Sequence, residues 1–340
     1  MNQKITDIHA FTSGLPSRLV CWLAPLVAAL LLAAFSLYIE AGKLAFGVPF
    51  ESLYSFQLTI YSDLLLLAAT VVYVAHWRFT GKAVGRWATT LASTGTAGVM
   101  AGVLTRWFEM PRVWEEGHVP LSDLYEVTGL FTAATMVIYL AMESFYRNRS
   151  AGAFVMPIVS VAVAFDIWLM ANGQASPNHL PTALDGVWLD AHVLANVVGY
   201  GAFSVAAGMG GLYLIRYLAD ARIKVEEYST NIRMSPRLDL LEDLMVKTII
   251  VGFCVFTLAT LLGSVWAHQV WGSYWSWEPK QTWALVVWLT YALFFYFRYA
   301  RGWLGVRTAW WVIAGFCMTL FSFIGVNFLF TGLHAFGKLH

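Results

Sequence analysis

Six tryptophans fall within the 23 residues from Trp266 to Trp288, and among them lies the run Trp271-Gly272-Ser273-Tyr274-Trp275-Ser276-Trp277-Glu278-Pro279-Lys280. Indole rings bury large area at low conformational cost and hold a planar conjugated molecule by its faces. A dense belt of interfacial aromatics is the alternative reading, but a belt requires no Gly, Pro and charged pair fixed among its rings. The run therefore predicts an aromatic floor for a flat ligand. Eight histidines supply the second kind of chemistry: His9, His76, His118, His179, His192, His268, His334 and His340. His192 also heads a helical stripe of Asn196, Gly199, Tyr200 and Phe203, a polar and aromatic face unlike one made for lipid. The small residues behind it, Gly201, Ala207, Gly208 and Gly211, allow a neighbouring helix to approach closely.

The elements that must position these groups follow from composition. With 59% hydrophobic and 12% charged residues and a mean hydropathy of +0.63, the chain cannot cover a soluble core with polar surface, so it reads as an integral membrane protein. The expected fold is all-α, a polytopic transmembrane helical bundle. Apolar stretches long enough to cross a hydrocarbon core lie near 19–39, 57–77, 87–105, 122–145, 153–171, 190–218, 245–267, 282–300 and 308–333, about nine spans. The first, preceded by Lys4 and Arg18, exceeds the core of a cleavable signal peptide and reads as a retained helix. Numbering the loops alternately places sixteen of the 21 Lys and Arg residues on the side of the N-terminus and five on the other. That asymmetry puts the N-terminus in the cytoplasm, with the C-terminus and the Trp-rich segment outside.

A net charge of +1 offers no field for nucleic acid. Cys21, Cys254 and Cys317 sit in apolar runs without a Cys-x-x-Cys pair and read as small buried hydrophobes, not as redox thiols or points of covalent haem attachment. The charged stretch from Arg216 to Lys247 reads as a partly helical cytoplasmic connection. Asp63 and Asp166 lie inside spans, where carboxyl groups are costly. In this topology His192 opens the sixth span and His334 closes the ninth, both at the outer edge. Imidazole is a favoured axial ligand of haem iron, so two imidazoles from opposite sides, with indoles around the ring, would make a bis-histidine haem site.

The run from Gly263 to Trp283, which includes Trp266-Ala267-His268-Gln269-Val270-Trp271 and the segment quoted above, closely resembles the WWD haem-handling signature of the CcsA (ResC) family of System II cytochrome c biogenesis. Three further blocks agree. Arg106-Trp107, followed by Gly117-His118-Val119-Pro120-Leu121-Ser122-Asp123-Leu124-Tyr125-Glu126, is similar to the family's segment before its fourth span. Trp188-Leu189-Asp190-Ala191-His192-Val193 resembles the block bearing the first external histidine, and Gly325-Val326-Asn327-Phe328-Leu329-Phe330-Thr331-Gly332-Leu333-His334 the block bearing the second. The resemblance covers roughly 100–337. It implies membrane helices over 1–100 and a haem-handling domain over 101–340 with an outer-face loop at 266–283.

The resemblance also implies a function. Such proteins work with a CcsB (ResB)-type partner to bring haem b to the outer face and join its vinyl groups to the thiols of Cys-x-x-Cys-His in apocytochrome c, a thioredoxin-like reductant keeping those thiols reduced. His192 and His334 take the external axial positions. Trp271, Trp275 and Trp277 form the platform, with Tyr274, Glu278, Trp283 and His268 as further haem contacts. The implied location is a bacterial cytoplasmic membrane or a thylakoid-type membrane, with the site on the outer or periplasmic face. Arg106, Arg112 and Lys280 are the outer cations available to haem propionates. Four positions depart from the pattern: Glu278 replaces Asp, Gln281 replaces an acid, His268 replaces Asn, and Tyr296 stands where many relatives carry a membrane-embedded histidine. A haem exporter or carrier, and an electron-transfer subunit holding haem permanently, are the rival functions.

Overall fold

The computed structural model describes residue 29 and residues 54–79, 81–114, 118–176, 186–222 and 237–332, with the side chains of 111–114 and 221–222 excepted. Among the described residues the regular structure is helical: α1 (Tyr54–Phe79), α2 (Lys82–Trp114), α3 (Leu124–Tyr146), α4 (Gly152–Ala171), α5 (Val187–Arg222), α6 (Leu238–Trp271), α7 (Pro279–Ala300) and α8 (Val306–Leu320). The last continues through a π turn, Phe321–Gly325, into a final helical turn, Val326–Leu329. Eight of the nine expected spans thus coincide with helices. Ala29, the described residue of the first span, packs against Ala97 and Ala101 of α2. Among the described residues seven helical stretches are long and apolar enough to cross a membrane. The exception, α2, turns Thr96, Thr105, Arg106 and Glu109 into the bundle, and these polar groups lower its hydropathy without exposing it.

Packing is most extensive between α5 and α6 and between α1 and α2, with α3, α4 and α8 also laid against α5. At about 1.5 Å per residue, the 36 residues of α5 exceed a hydrocarbon core of roughly 30 Å, so α5 is the post around which the others stand. Small residues make the approach possible. A Cβ on Gly208 would lie 2.6 Å from Val155 Cγ2 on α4, and one on Gly201 would lie 3.0 Å from the Thr135 backbone nitrogen on α3. The opposite face carries the expected stripe, and Phe203 stacks on Tyr291 of α7 with ring centroids 3.7 Å apart. The free cysteines Cys254 and Cys317 are exposed rather than buried. An apolar run buried in lipid need not be buried in protein, so the expectation of core cysteines is corrected for these two.

The block from Ser122 to Glu126 has a definite structural role. Asp123 caps α3, its Oδ1 accepting the Glu126 N–H at 2.8 Å, while Glu126 Oε2 accepts from the Ser122 N–H at 3.0 Å. Together they satisfy donors that a helix start leaves unpaired. Arg106 of α2 then donates from Nε to Glu126 Oε1 at 2.6 Å and from Nη1 to the Ala175 carbonyl at 2.9 Å, with Asp123 Oδ2 at 3.5 Å from Nη2. Its guanidinium lies over the Tyr125 ring. This node ties α2, the start of α3 and the end of α4 together. Arg106 is therefore committed to the bundle and is not a free outer cation for a ligand.

Candidate functional site

Where α5 and α6 cross, His192 reaches across the interface. Its Nδ1 lies 2.7 Å from the Ala259 carbonyl oxygen of α6. A carbonyl only accepts, so Nδ1 carries the proton and Nε2 keeps its lone pair. The sequence permits this approach because Gly263 lies one turn on from Ala259: a Cβ there would sit 2.4 Å from His192 Cε1 and Nδ1. Asn196, one turn further along α5, places its Nδ2 3.2 Å from His192 Nε2, to which the amide donates. A second-helix carbonyl bonded to one ring nitrogen is the arrangement by which proteins orient a ligating imidazole.

A cavity of about 200 Å³ opens beside this imidazole, lined by His192, Asn196, Tyr200, Trp266, Trp275 and Lys280 among others. It is smaller than the roughly 300–1,000 Å³ pockets that enclose a drug-sized ligand. A macrocycle would be held in part, with an edge left outside. Trp266 lies nearly parallel to the His192 ring, 12° between planes and 6.5 Å between centroids. The residues present fit a flat polyanionic ligand in one further respect: Trp275 Nε1 is buried with no hydrogen-bond partner among the described residues, an N–H donor on the cavity wall.

The other expected site residues are less uniformly disposed. Trp271 meets Trp266 edge to face, 4.9 Å and 72°, and Trp277, 69% exposed, meets Trp275 at 86°. The expected indoles therefore meet their neighbours edge to face, Trp271 against Trp266 and Trp277 against Trp275. Tyr274 is exposed and stacks on His268, 4.1 Å and 20°, while Trp283 packs on Phe321 of the π turn. His334 lies outside the described residues, as do His179 and the side chain of Arg112. Trp266 was missed as a candidate contact. Its place three residues after Gly263, on the same face of α6, was the available signal.

The connection between α6 and α7 is shorter than the aromatic run suggests. α6 ends at Trp271, with Gly272 at φ 74° donating to the His268 carbonyl, and α7 begins at Pro279 behind the cap Glu278. Trp277 also holds a left-handed backbone, φ 56°, which costs a residue with a Cβ of order 1–3 kcal/mol and gathers at functional sites. The departures at Glu278 and Gln281 have structural reasons. Glu278 Oε1 accepts the Gln281 N–H at 3.2 Å, and Gly332 passes so close that a Cβ there would lie 2.8 Å from Glu278 Oε2. Gln281 Oε1 in turn accepts the Ser276 N–H at 2.8 Å. Lys280 Nζ donates to Asn327 Oδ1 at 2.7 Å and to the Phe323 carbonyl at 3.2 Å, so the Glu-Pro-Lys turn is docked on the end of α8. Tyr296 is 52% exposed and faces out of the bundle.

Residues 121–334 match the family model described as cytochrome C assembly protein. Curated relatives carry the description cytochrome c biogenesis protein CcsA. One from Prochlorococcus marinus is 31% identical over 81% of this chain and 90% of its own length. One from Synechococcus sp. is 31% identical over 81% and 94%, and one from Chlorella vulgaris is 29% identical over 82% and 94%.

Proposed function

The chain belongs to the CcsA family of cytochrome c assembly proteins, an integral membrane protein of cytochrome c maturation, and from that premise we propose that it holds haem b, as substrate, in the cavity between α5, α6 and α7. His192 is one axial ligand and His334 the other. The observation that carries this reading is the His192 contact to the Ala259 carbonyl, which gives the second ring nitrogen to the cavity side beside Trp266. Asn196, which donates to that nitrogen, yields it when the iron is bound.

Bound haem supplies two vinyl groups. A cysteine thiol of Cys-x-x-Cys-His in apocytochrome c adds across each one, the sulfur bonding to carbon and the thiol hydrogen passing to the terminal carbon, with no net redox change. The chain's residues contribute position. His192 and His334 fix the ring, Trp266 and Trp275 line its apolar side, and the partial enclosure leaves an edge for the peptide. Bringing two thiols to prearranged vinyls replaces a two-body encounter and lowers the barrier without further groups. The Trp275 N–H and Lys280 are the donors nearest to hand for propionates. A CcsB-type partner completes the synthase, a thioredoxin-like reductant keeps the thiols reduced, and the site faces the outer side of the membrane.

Coexpression with a CcsB-type partner and an apocytochrome reporter tests this. Haem bound covalently to the reporter's thiols is the expected result. Haem bound to the chain without transfer, despite an assembled partner, supports a carrier or redox subunit instead. Purified His192→Ala and His334→Ala are each expected to lose the haem absorbance, and an unchanged spectrum in either removes that residue as a ligand.

A further inference from the structure

Two aspartates of the membrane helices remain unused by the haem site. Asp63 of α1 and Asp166 of α4 are each 2% exposed, and Asp63 Oδ2 and Asp166 Oδ1 are buried with no hydrogen-bond partner among the described residues. The two groups interact electrostatically with one another and with Tyr125 of α3. Asp166 lines a cavity of about 20 Å³ with Thr59, Arg106, Tyr125 and Glu126, separate from the cavity beside His192. That is room for one water molecule.

The charges around this place do not balance if every acid is ionised. The Thr59 hydroxyl from α1, Arg106 from α2, Tyr125 and Glu126 from the start of α3, and Asp166 from α4 line it, Asp63 and Asp123 interact electrostatically with Asp166, and Ser55 of α1 and Glu109 of α2 are buried against each other. The carboxyl groups of Asp63, Asp123, Glu126 and Asp166 thus have one guanidinium among them. Arg106 is already committed to Glu126, Asp123 and the Ala175 carbonyl. Glu109 accepts the Ser55 N–H at 3.2 Å through Oε1, and its Oε2 also lacks a partner among the described residues. An uncompensated carboxylate in a low-dielectric interior is strongly disfavoured, whereas the neutral acid carries its own donor. A proton removes the charge of a buried acid without requiring any further partner.

We propose that Asp63 and Asp166 form a proton-binding site inside the membrane bundle, both carboxyl groups held as neutral acids, Asp166 on the wall of the water-sized cavity between α1, α2, α3 and α4 and Asp63 on α1, which packs against α4. The site is a property of the haem-free chain and stands or falls apart from the haem assignment. Infrared spectra of the purified full-length protein at neutral pH, in H₂O and D₂O, test it alongside Asp63→Asn and Asp166→Asn. Exposed carboxyl groups are ionised at that pH, so the wild type is expected to show a carboxylic acid C=O band that shifts on deuteration. Each Asn variant is expected to lose part of that band while melting close to the wild type, because an amide copies the shape and neutrality of the acid. Absence of an acid band from the wild type, or its full retention in either variant, overturns the proposal. Should one variant fail to accumulate, the other decides, since both positions are held to be neutral.

Discussion

At His192 the decisive contacts are a carbonyl oxygen and an absent side chain. The Ala259 carbonyl fixes the ring, and Gly263 provides the space in which it lies. Gly263→Ala therefore has a specific expected effect. The new methyl would force the imidazole off Ala259, and loss of such an orienting contact lowers affinity for a metal centre roughly 10–100-fold. Haem titration of the purified variant measures this, and wild-type affinity would show that Gly263 does not set the ring. Tyr296 gives the converse case. Its ring is half exposed on the outer side of α7, so Tyr296→Phe is expected to leave haem content and spectrum unchanged. A lost or shifted absorbance band would restore it as a ligand. The type of each residue was legible in the sequence, whereas its partner across the helix interface was not.

At the scale of elements, two junctions organise the end of the bundle that carries the His192 cavity. The Arg106 node joins α2 to the start of α3 and the end of α4 through Glu126, Asp123 and the Ala175 carbonyl, all buried. Arg106→Met leaves two carboxylates without their cation. Breaking a buried pair in this way costs about 3–5 kcal/mol, expected as a lower melting temperature and a poor yield in detergent. Neutralising the partner as well, in Arg106→Met with Glu126→Gln, is expected to recover part of that loss. Equal melting of Arg106→Met and the parent would show the node to be dispensable. The second junction is the Glu278-Pro279-Lys280 turn, which caps α7 and docks on the end of α8. Glu278→Ala removes the cap at about 1 kcal/mol, visible as a small drop in melting temperature. The Leu-Tyr-Glu block marked the first junction in the sequence, but spacing alone showed no role for it, because the guanidinium that pairs with Glu126 comes from another helix.

For the whole molecule, eight of nine expected spans coincide with helices, and the expected odd total would place the two chain ends on opposite sides of the membrane. Topology reporters fused to the α5–α6 connection and to the C-terminus are expected to report opposite compartments, the former cytoplasmic as its Lys and Arg content requires. Both reporters on one side would remove either a span or the assigned orientation. The same architecture brings Asp63 and Asp166 together although 103 positions separate their numbers in the chain, a meeting that the packing of α1 against α4 produces.

Span positions, helical class and family were legible from the sequence because they depend on quantities carried along the chain. A bilayer demands about 20 apolar residues per crossing, loop charges set the side, and the aromatic and histidine blocks occur in a recognisable order. Periodicity within a helix also located the inward stripe of α5. Tertiary structure alone decided what lay opposite each stripe. It gave His192 its carbonyl and Gly263 its purpose, turned Trp271 edge to face with Trp266 and Trp277 with Trp275, drew Arg106 inward to two acids, and left an oxygen of each of two aspartates buried without a partner among the described residues. Contacts between helices depend on rotation and depth at each crossing, which steric fit among many side chains determines at once and no local spacing encodes.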